Sequence, residues 1–265
     1  NIKGKYNAIY ERDIPHNYSP AIVSALIHQN KRKTKPKDFI AVILNLCIKG
    51  HLKLNVIRQK KFLGVFGKDT DYEIIKIKNN SKNLAKHEQT VIDIISKYME
   101  NNKITFTNLN KEIKSDSFRF RHLFEDWQSE VYEEAKKLNF FTKNNASNYF
   151  NIICYSSITL SFLSIFLNLY SKFLISLFVA GIIGLILNLG LLSKAIPSRT
   201  LEGAIHFNQW MNLKKYLKDF SRIKEKPPES IILWEKYLVY GLTLNVADKV
   251  QDAMNLIMPN VKQNS

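Results

Sequence analysis

The sequence predicts a mainly α-helical protein with small β hairpins, in which a two-helix transmembrane hairpin separates winged-helix-like cytoplasmic modules from a C-terminal helical segment. Two observations predict this class. Residues 149–170 and 173–193 are long apolar stretches with only a two-residue turn between them. In the flanking segments, apolar residues recur at the helical spacing of about 3.6, and only short runs alternate with the period of two that is typical of strands.

The first helices are predicted from their start and stop signals. Ser19 can cap the first helix, and Pro20 suits its first turn. Pro36 opens the second helix, and Gly50 ends it. Period-two segments then flank the charged, glycine-containing stretch "RQKKFLGVFGKDTD", which predicts a β hairpin. Helix, helix and hairpin in this order predict a winged-helix-like module over residues 1–80.

Residues 81–148 repeat this order in a weaker form. The stretch "HEQTVIDIISKYM" predicts an amphipathic helix, "ITF" a short strand, and "TNLNKEI" a short helix capped by Thr107. A long helix follows in "SFRFRHLFEDWQSEVYEEAKKL", and "NFFT" predicts a further strand. We therefore expect a second helical, winged-helix-like module in this range.

The two apolar stretches predict a transmembrane hairpin over residues 149–195. Each has the length of about 20 residues that a helix needs to cross a bilayer core. Ser171 and Lys172 leave room only for a tight turn, and the cost of a charge inside the bilayer places Lys172 at a water interface. Basic residues near both outer ends indicate that both flanks are cytoplasmic. The alternative is a hairpin buried inside a much larger soluble domain.

Small residues one helical turn apart are the candidate contacts between the two spans. They are Ser157 and Ser161 on the first helix and Ala180 and Gly184 on the second. Such spacing lets two helix backbones approach closely. Because glycine and serine are common in membrane spans, the same pattern also arises without a packing role.

Residues 196–265 form the predicted C-terminal cytoplasmic helical segment. One helix starts near Thr200, and a second helical region follows the "PPES" break. We expect Trp234, Leu238 and Tyr240 to be packing residues rather than a ligand-binding set.

Basic residues give the chain a formal net charge of +16. Part of this excess reflects a lysine- and asparagine-rich composition that is typical of AT-rich bacterial genomes. Two basic runs are candidates for contacts with lipid headgroups or nucleic-acid phosphates. Their residues are Lys31, Arg32, Lys33, Lys35, Lys37, Arg58, Lys60 and Lys61. Sequence-specific DNA binding is less favoured, because the long helix is acidic and Asn45 is the lone candidate for a base contact.

The sequence contains no phosphate-binding glycine loop, zinc-protease motif or nucleophile elbow. Its histidines are scattered without metal-ligand spacing, and Cys47 and Cys154 belong to no CxxC pair. We therefore expect no cofactor, no bound metal ion and no enzymatic activity.

The order of several motifs resembles a known family. The stretches "YSPAIVSALI", "FIAVILNLCIKGHLKL", the apolar hairpin, "RTLEGAIHFNQWMNLKKYL" and "WEKYLVYGLTLNVADKV" resemble the C-terminal half of the YciQ-like predicted bacterial membrane proteins, domain of unknown function 2207. Gly50 and Gly203 match glycines of that pattern, whereas Val239-Tyr240-Gly241 stands where the family often has "PYA". The resemblance implies a piece of a longer membrane protein, and it implies no established activity.

These observations predict a multi-pass protein of the bacterial cell membrane with both long flanks in the cytoplasm. The function we expect is that of a non-catalytic scaffold or a signalling and interaction module, with the bilayer and other proteins as partners. The alternative is a membrane-tethered nucleic-acid-binding regulator.

Overall fold

The computed structural model describes residues 8–29, 34–59, 69–77, 84–142, 146–166, 172–187, 199–219, 228 and 230–257. The chain divides into two compact units, Asn1–Phe140 with Thr200–Ser265, and Phe141–Arg199. Helices dominate the described residues, and a small antiparallel sheet joins them, which confirms the mainly helical class with a little β structure. The predicted boundaries after residues 80, 148 and 195 stay predictions.

The elements follow one another in this order along the chain: α1 (Pro20–His28), α2 (Pro36–Ile48), β1 (Leu52–Gln59), β2 (Asp69–Lys76), α3 (Lys86–Ser96), β3 (Lys103–Thr105), α4 (Phe106–Ser115), α5 (Ser117–Lys137), α6 (Ala146–Phe166), α7 (Lys172–Leu187), α8 (Leu201–Lys218), α9 (Ile231–Leu244) and α10 (Ala247–Ile257).

Helix ends follow the local signals of the sequence, with two corrections. Gly50 takes a positive φ of 77° directly after α2, as a helix-ending glycine can. The cap of α4 is Thr105 and not Thr107, because its hydroxyl accepts the N–H of Asn108 at 3.1 Å. Ser19 lies at the N-cap position of α1, but its side chain makes no capping hydrogen bond.

The sheet draws its strands from both predicted modules. β1 and β2 are antiparallel with Leu54 opposite Ile74, and β3 adds to β2 with Ile104 opposite the same Ile74. Ile74 and Ile104 are buried, so the short third strand extends the buried side of the sheet beyond β2. A strand predicted for the second module therefore completes the sheet of the first, and two separate winged helices are not confirmed. The predicted turn at residues 60–68 lies outside the described residues.

The core of the first unit is assembled from both ends of the chain. Helix α9 packs on α2, while α5 and α8 contact α1. Trp127, Trp210 and Trp234, from α5, α8 and α9, are fully buried in this core. The C-terminal helices are therefore part of the same hydrophobic core as the N-terminal ones, and Trp234 has the packing role that its pattern predicts.

The second unit contains the antiparallel bridge between Phe141 and Arg199 and the packed helices α6 and α7. The "NFFT" segment thus supplies a single bridge where a strand was predicted. Among the described residues, no helix combines the length and the apolar character that a membrane crossing requires. Parts of both predicted spans, residues 167–171 and 188–195, lie outside the described residues.

Candidate functional site

The chain leaves the first unit after Phe140 and returns to it at Thr200. The backbone N–H of Thr200 donates to the carbonyl of Phe140 at 3.0 Å, and its hydroxyl donates to the carbonyl of Asn139 at 2.6 Å. The same hydroxyl accepts the N–H of Gly203 at 3.0 Å and so caps α8. We call Asn139, Phe140, Thr200 and Gly203 the neck. It holds the two ends of the inserted segment side by side.

The neck depends on special backbone positions. Asn139 adopts a left-handed conformation, with φ of 54°, which turns the chain at the end of α5. Gly203 lies so close to the chain that a Cβ atom there would overlap the carbonyl of Phe140. The Phe140 side chain is fully buried. Any other residue at position 203 would therefore separate α8 from the strand-like segment that it holds.

A cluster of rings surrounds Phe140. The rings of Tyr18 and His206 lie edge-on to it, with centroids 5.4 and 5.8 Å away. The Tyr18 hydroxyl lies 3.1 Å from Nδ1 of His206. Residues from the N-terminal segment, the end of α5 and α8 are thereby joined at the neck.

Two histidines of this cluster face each other. The rings of His16 and His206 have centroids only 3.9 Å apart, and Nε2 of His16 lies 2.7 Å from Oε1 of Gln209. Burial and the neighbouring His16 lower the pKa of His206, against the opposing charge of Glu202. Burial, followed by Glu202, raises the pKa of Tyr18. Burial at the neck therefore favours the uncharged forms of Tyr18 and His206.

Tyr18 also lines a cleft of about 770 Å³ between α1, α2, α3 and α5. Charged side chains of both signs line this cleft: Lys49, Lys86, Lys137, Glu88, Glu130, Glu133 and Glu134. The lining also contains His87 and several neutral polar residues. Tyr18 thus lines the cleft and also contacts Phe140 of the neck, and both features lie in the first unit.

The buried charges of the cleft are paired with one another. Nζ of Lys49 contacts both carboxylate oxygens of Glu88 at 2.7 and 2.8 Å, and Glu88 is 1% exposed. Glu134 accepts the backbone N–H of His87 at 3.0 Å and lies 2.8 Å from its Nδ1. Burial alone would raise the pKa of Glu134, but the hydrogen bonds and charge of His87 lower it below its ordinary value.

This pairing has consequences for chemistry. An ionised Glu134 can only accept, so Nδ1 of His87 carries the proton of their hydrogen bond. Nε2 of His87 is enclosed without a hydrogen-bond partner among the described residues, so a substrate in solvent has no access to it. The pair has the composition of a general base, but its geometry is that of a buried structural pair.

Metal and thiol chemistry find no support in the part of the chain that the structure describes. Those residues contain no group of three or more histidine, cysteine, aspartate or glutamate side chains that could hold a metal ion. Cys47 and Cys154 are free thiols. Burial raises the pKa of Cys47 to about 11, which keeps the thiol protonated at neutral pH.

Most of the predicted basic contacts lie outside the described residues. These are Lys31, Arg32, Lys33, Lys60 and Lys61. Lys35 is exposed before α2, whereas Lys37 donates to Oδ1 of Asn245 at 3.0 Å. Arg58 lies in β1. Asn45, the candidate for a base contact, is buried and its amide faces Glu88 at 3.4 Å.

The predicted helix-packing residues occupy α6 and α7. Ser157 lies against α7, where a Cβ on Gly181 would come within 2.6 Å of its Oγ. Gly184 is buried, Ala180 is exposed, and Ser161 lies one turn after Ser157 in α6. The two helices thus come close together at Gly181, a position that the small-residue spacing did not single out. Its spacing of three residues from Gly184 is the signal that could have identified it.

Comparison with known proteins gives one family. A family model described as "Predicted membrane protein (DUF2207) C-terminal domain" matches residues 7–254. No curated protein and no solved structure matches the chain.

Proposed function

Because the chain belongs to the family described as predicted membrane protein (DUF2207) C-terminal domain, we propose that it is a non-catalytic scaffold or signalling module at the inner face of a bacterial membrane. The family is one of predicted membrane proteins, in agreement with the resemblance drawn from the motifs. The non-catalytic role, the cytoplasmic flanks and the two spans over residues 149–195 are our proposals.

Anchoring by the second unit is supported by the side chains that α6 and α7 turn outward. These helices expose large apolar residues along most of their described length. They are Ile152, Ile153, Tyr155, Leu160, Phe162, Leu163, Val179, Ile182, Ile183 and Ile186. An apolar surface of this extent is unfavourable in water, whereas lipid chains would cover it at no such cost.

The observation that supports a signalling role is the neck. Both ends of the inserted segment are hydrogen-bonded to each other and packed on a buried ring, Phe140. A displacement of the inserted segment would therefore be transmitted to α5 and α8, because its ends are hydrogen-bonded at the neck and are not joined to these helices by a flexible linker. Tyr18 contacts Phe140 and lines the charged cleft, which offers a route from the neck to a surface where partners can bind.

The non-catalytic proposal is supported by the paired charges of the cleft and the enclosed imidazole of His87. The nucleic-acid alternative gains little from the described residues, because Asn45 is buried and α5 carries exposed carboxylates such as Glu125 and Asp126. We retain the winged-helix comparison as a proposal for α1, α2 and the β1–β2 hairpin, which have the order of such a module.

Cysteine labelling of the second unit and its flanks tests the proposed membrane hairpin. Single cysteines replace Lys137, Lys172 or Glu202 in a chain with Cys47→Ser and Cys154→Ser. An impermeant thiol reagent should label only the Lys172→Cys protein in intact cells, because two spans joined by a tight turn return to the side from which they started. Lys137→Cys and Glu202→Cys should react after permeabilisation. Labelling of one flank from outside would refute the proposed hairpin.

A further inference from the structure

Two histidine rings from distant parts of the chain meet beside the neck. His16 lies in the segment before α1, and His206 lies in the second turn of α8. We call them the histidine pair. Their ring centroids are 3.9 Å apart, the ring planes are tilted by 44°, and both side chains are half-buried. Because water surrounds these rings only in part, positive charges on both rings would repel each other strongly at this distance.

Hydrogen bonds hold each ring of the histidine pair in its place. Nε2 of His16 lies 2.7 Å from Oε1 of Gln209, and it donates because an amide oxygen only accepts. The Tyr18 hydroxyl lies 3.1 Å from Nδ1 of His206. Tyr18 is itself held by Tyr240 of α9, whose hydroxyl donates to the Tyr18 carbonyl at 2.6 Å. A protonated His206 carries a proton on Nδ1, so the Tyr18 hydroxyl can then no longer donate to this nitrogen.

One carboxylate acts on the histidine pair. Burial, followed by the neighbouring His16, lowers the pKa of His206, and the charge of Glu202 on α8 opposes this change. Burial, followed by Glu202, raises the pKa of Tyr18, which keeps that hydroxyl uncharged. The end of α5 contributes the apolar ring of Phe140. Glu202 can therefore balance one positive charge of the pair but not two.

The position of the histidine pair connects it to the hydrogen bonds of the neck. His206 follows Gly203 by three residues, about one helical turn, and Gly203 packs against the carbonyl of Phe140. The N–H of Thr200 donates to that same carbonyl at 3.0 Å. Since α8 is rigid over one turn, a displacement of His206 away from His16 would shift Gly203 and Thr200 relative to Phe140.

We infer that the histidine pair is a proton-operated switch, in which protonation of both rings drives His16 and His206 apart and loosens the hydrogen bonds of the neck. This inference deepens the proposed function and rests on it, because it names acidification at the inner face of the membrane as the signal that the module receives. The structural change itself requires only residues of the first unit.

The direction of the pH dependence follows from the preference of the folded chain for the uncharged imidazole of His206. The pKa of His206 is lowered in the folded chain, so its contribution to stability is fully present above about pH 6.5, the ordinary pKa of histidine. The contribution is lost as the pH falls from there through the lower pKa of the folded chain. The neck should therefore be closed at neutral pH and loosened in mild acid.

Amide hydrogen exchange of the full chain in nanodiscs, followed by mass spectrometry at about pH 7.5 and about pH 5.5, tests this inference. Protection factors are compared, because they remove the effect of pH on the intrinsic exchange rate. Peptides that contain Thr200 and Gly203 should lose about tenfold in protection at the lower pH, since both N–H groups are bonded within the neck. Protection of residues 72–75 in β2 should change less than about twofold.

Uncharged variants assign the response to the histidine pair. His16→Gln keeps an amide nitrogen near the position of Nε2, and His206→Asn keeps a polar atom near the position of Nδ1. Each variant should hold the protection of the neck at the same level at both pH values, because Glu202 balances the single histidine that remains. His122→Asn removes an exposed histidine of α5 and should keep the full pH response.

Three results would overturn the inference. They are equal protection of the neck at both pH values in the parent chain, a loss that persists in His16→Gln and His206→Asn, and a loss that extends equally to β2. The second result would assign the response to another titratable group, and the third would be general unfolding in acid. The labelling of Lys172→Cys tests the membrane hairpin separately. A neck that loosens in acid, in a chain whose Lys172→Cys form is unlabelled from outside, would refute the hairpin and support the switch.

Discussion

Glu88 brings a carboxylate into an almost fully buried position at the first turn of α3. Lys49 supplies two short hydrogen bonds to it, and the N–H of Ala85 donates to the same group at 3.3 Å. A buried charge is tolerated only while its partners remain, because the group has lost the water that would solvate it. Lys49 therefore matters more for stability than an exposed lysine with a similar ion pair.

Separate substitutions of Lys49 and Lys86 make this difference in stability measurable. Lys49→Ala should lower the free energy of unfolding by about 2 kcal/mol, a figure reduced because a third of the lysine side chain remains in contact with solvent. Lys86 is 76% exposed opposite Glu130, so Lys86→Ala should cost less than about 1 kcal/mol. Denaturant unfolding followed by tryptophan fluorescence compares the two. Equal losses would show that Glu88 regains water when Lys49 is removed.

At the scale of the elements, the contact between α6 and α7 depends on one glycine. A Cβ at position 181 would lie 2.6 Å from Oγ of Ser157 and 2.8 Å from Cγ1 of Ile158. Its neighbour Ala180 is exposed on the outer side of the same helix. The two adjacent positions therefore provide a matched pair, one inside the helix contact and one outside it.

Gly181→Val should force the two helices apart, because the added atoms have no free space at the interface. We expect a loss of about 1–3 kcal/mol, the range of overpacked cores, and faster proteolysis of the segment in detergent. Ala180→Val adds comparable bulk on the outer face and should leave both measurements near those of the parent protein. A stable Gly181→Val protein alongside a damaged Ala180→Val protein would show that the helices meet on another face.

At the scale of the whole molecule, the first unit has one continuous core. The inserted segment, residues 141–199, separates the two parts of this unit along the sequence. The α8–α10 helices share the core with α1, α2 and α5, and the neck closes the gap between Phe140 and Thr200 with a hydrogen bond of 3.0 Å. The ends are close enough that a short loop can replace the segment between them.

A chain in which residues 141–199 are replaced by a Gly/Ser linker of about four residues should therefore fold with a cooperative thermal transition. It should be released by carbonate extraction of membranes, whereas the full chain should remain with the lipid. Residues 1–140 alone should not fold cooperatively, because they lack the helices that bury α2. A linked protein that resists carbonate extraction would place the anchor outside the replaced segment.

The sequence by itself determined the helical class, the family and most helix ends. These features depend on local physics: the period of apolar residues, proline in first turns, Gly50 after α2, and the order of motifs. Local spacing also indicated that helices α6 and α7 meet through small residues. It could not select Gly181 over Ala180, because the rotation of one helix about its axis is decided by the partner that it packs against.

Only the tertiary structure decided which distant segments share a core. β3 completes the sheet of the preceding hairpin, α9 covers α2, and the neck brings Asn139 and Phe140 to Thr200. No sequence period records such contacts, because burial in a shared core is set by the complementary shapes of surfaces that lie far apart along the chain. The same reason explains Asn45. Its position on α2 suggested an exposed reader of DNA bases, and the packing of α3 buried it against Glu88.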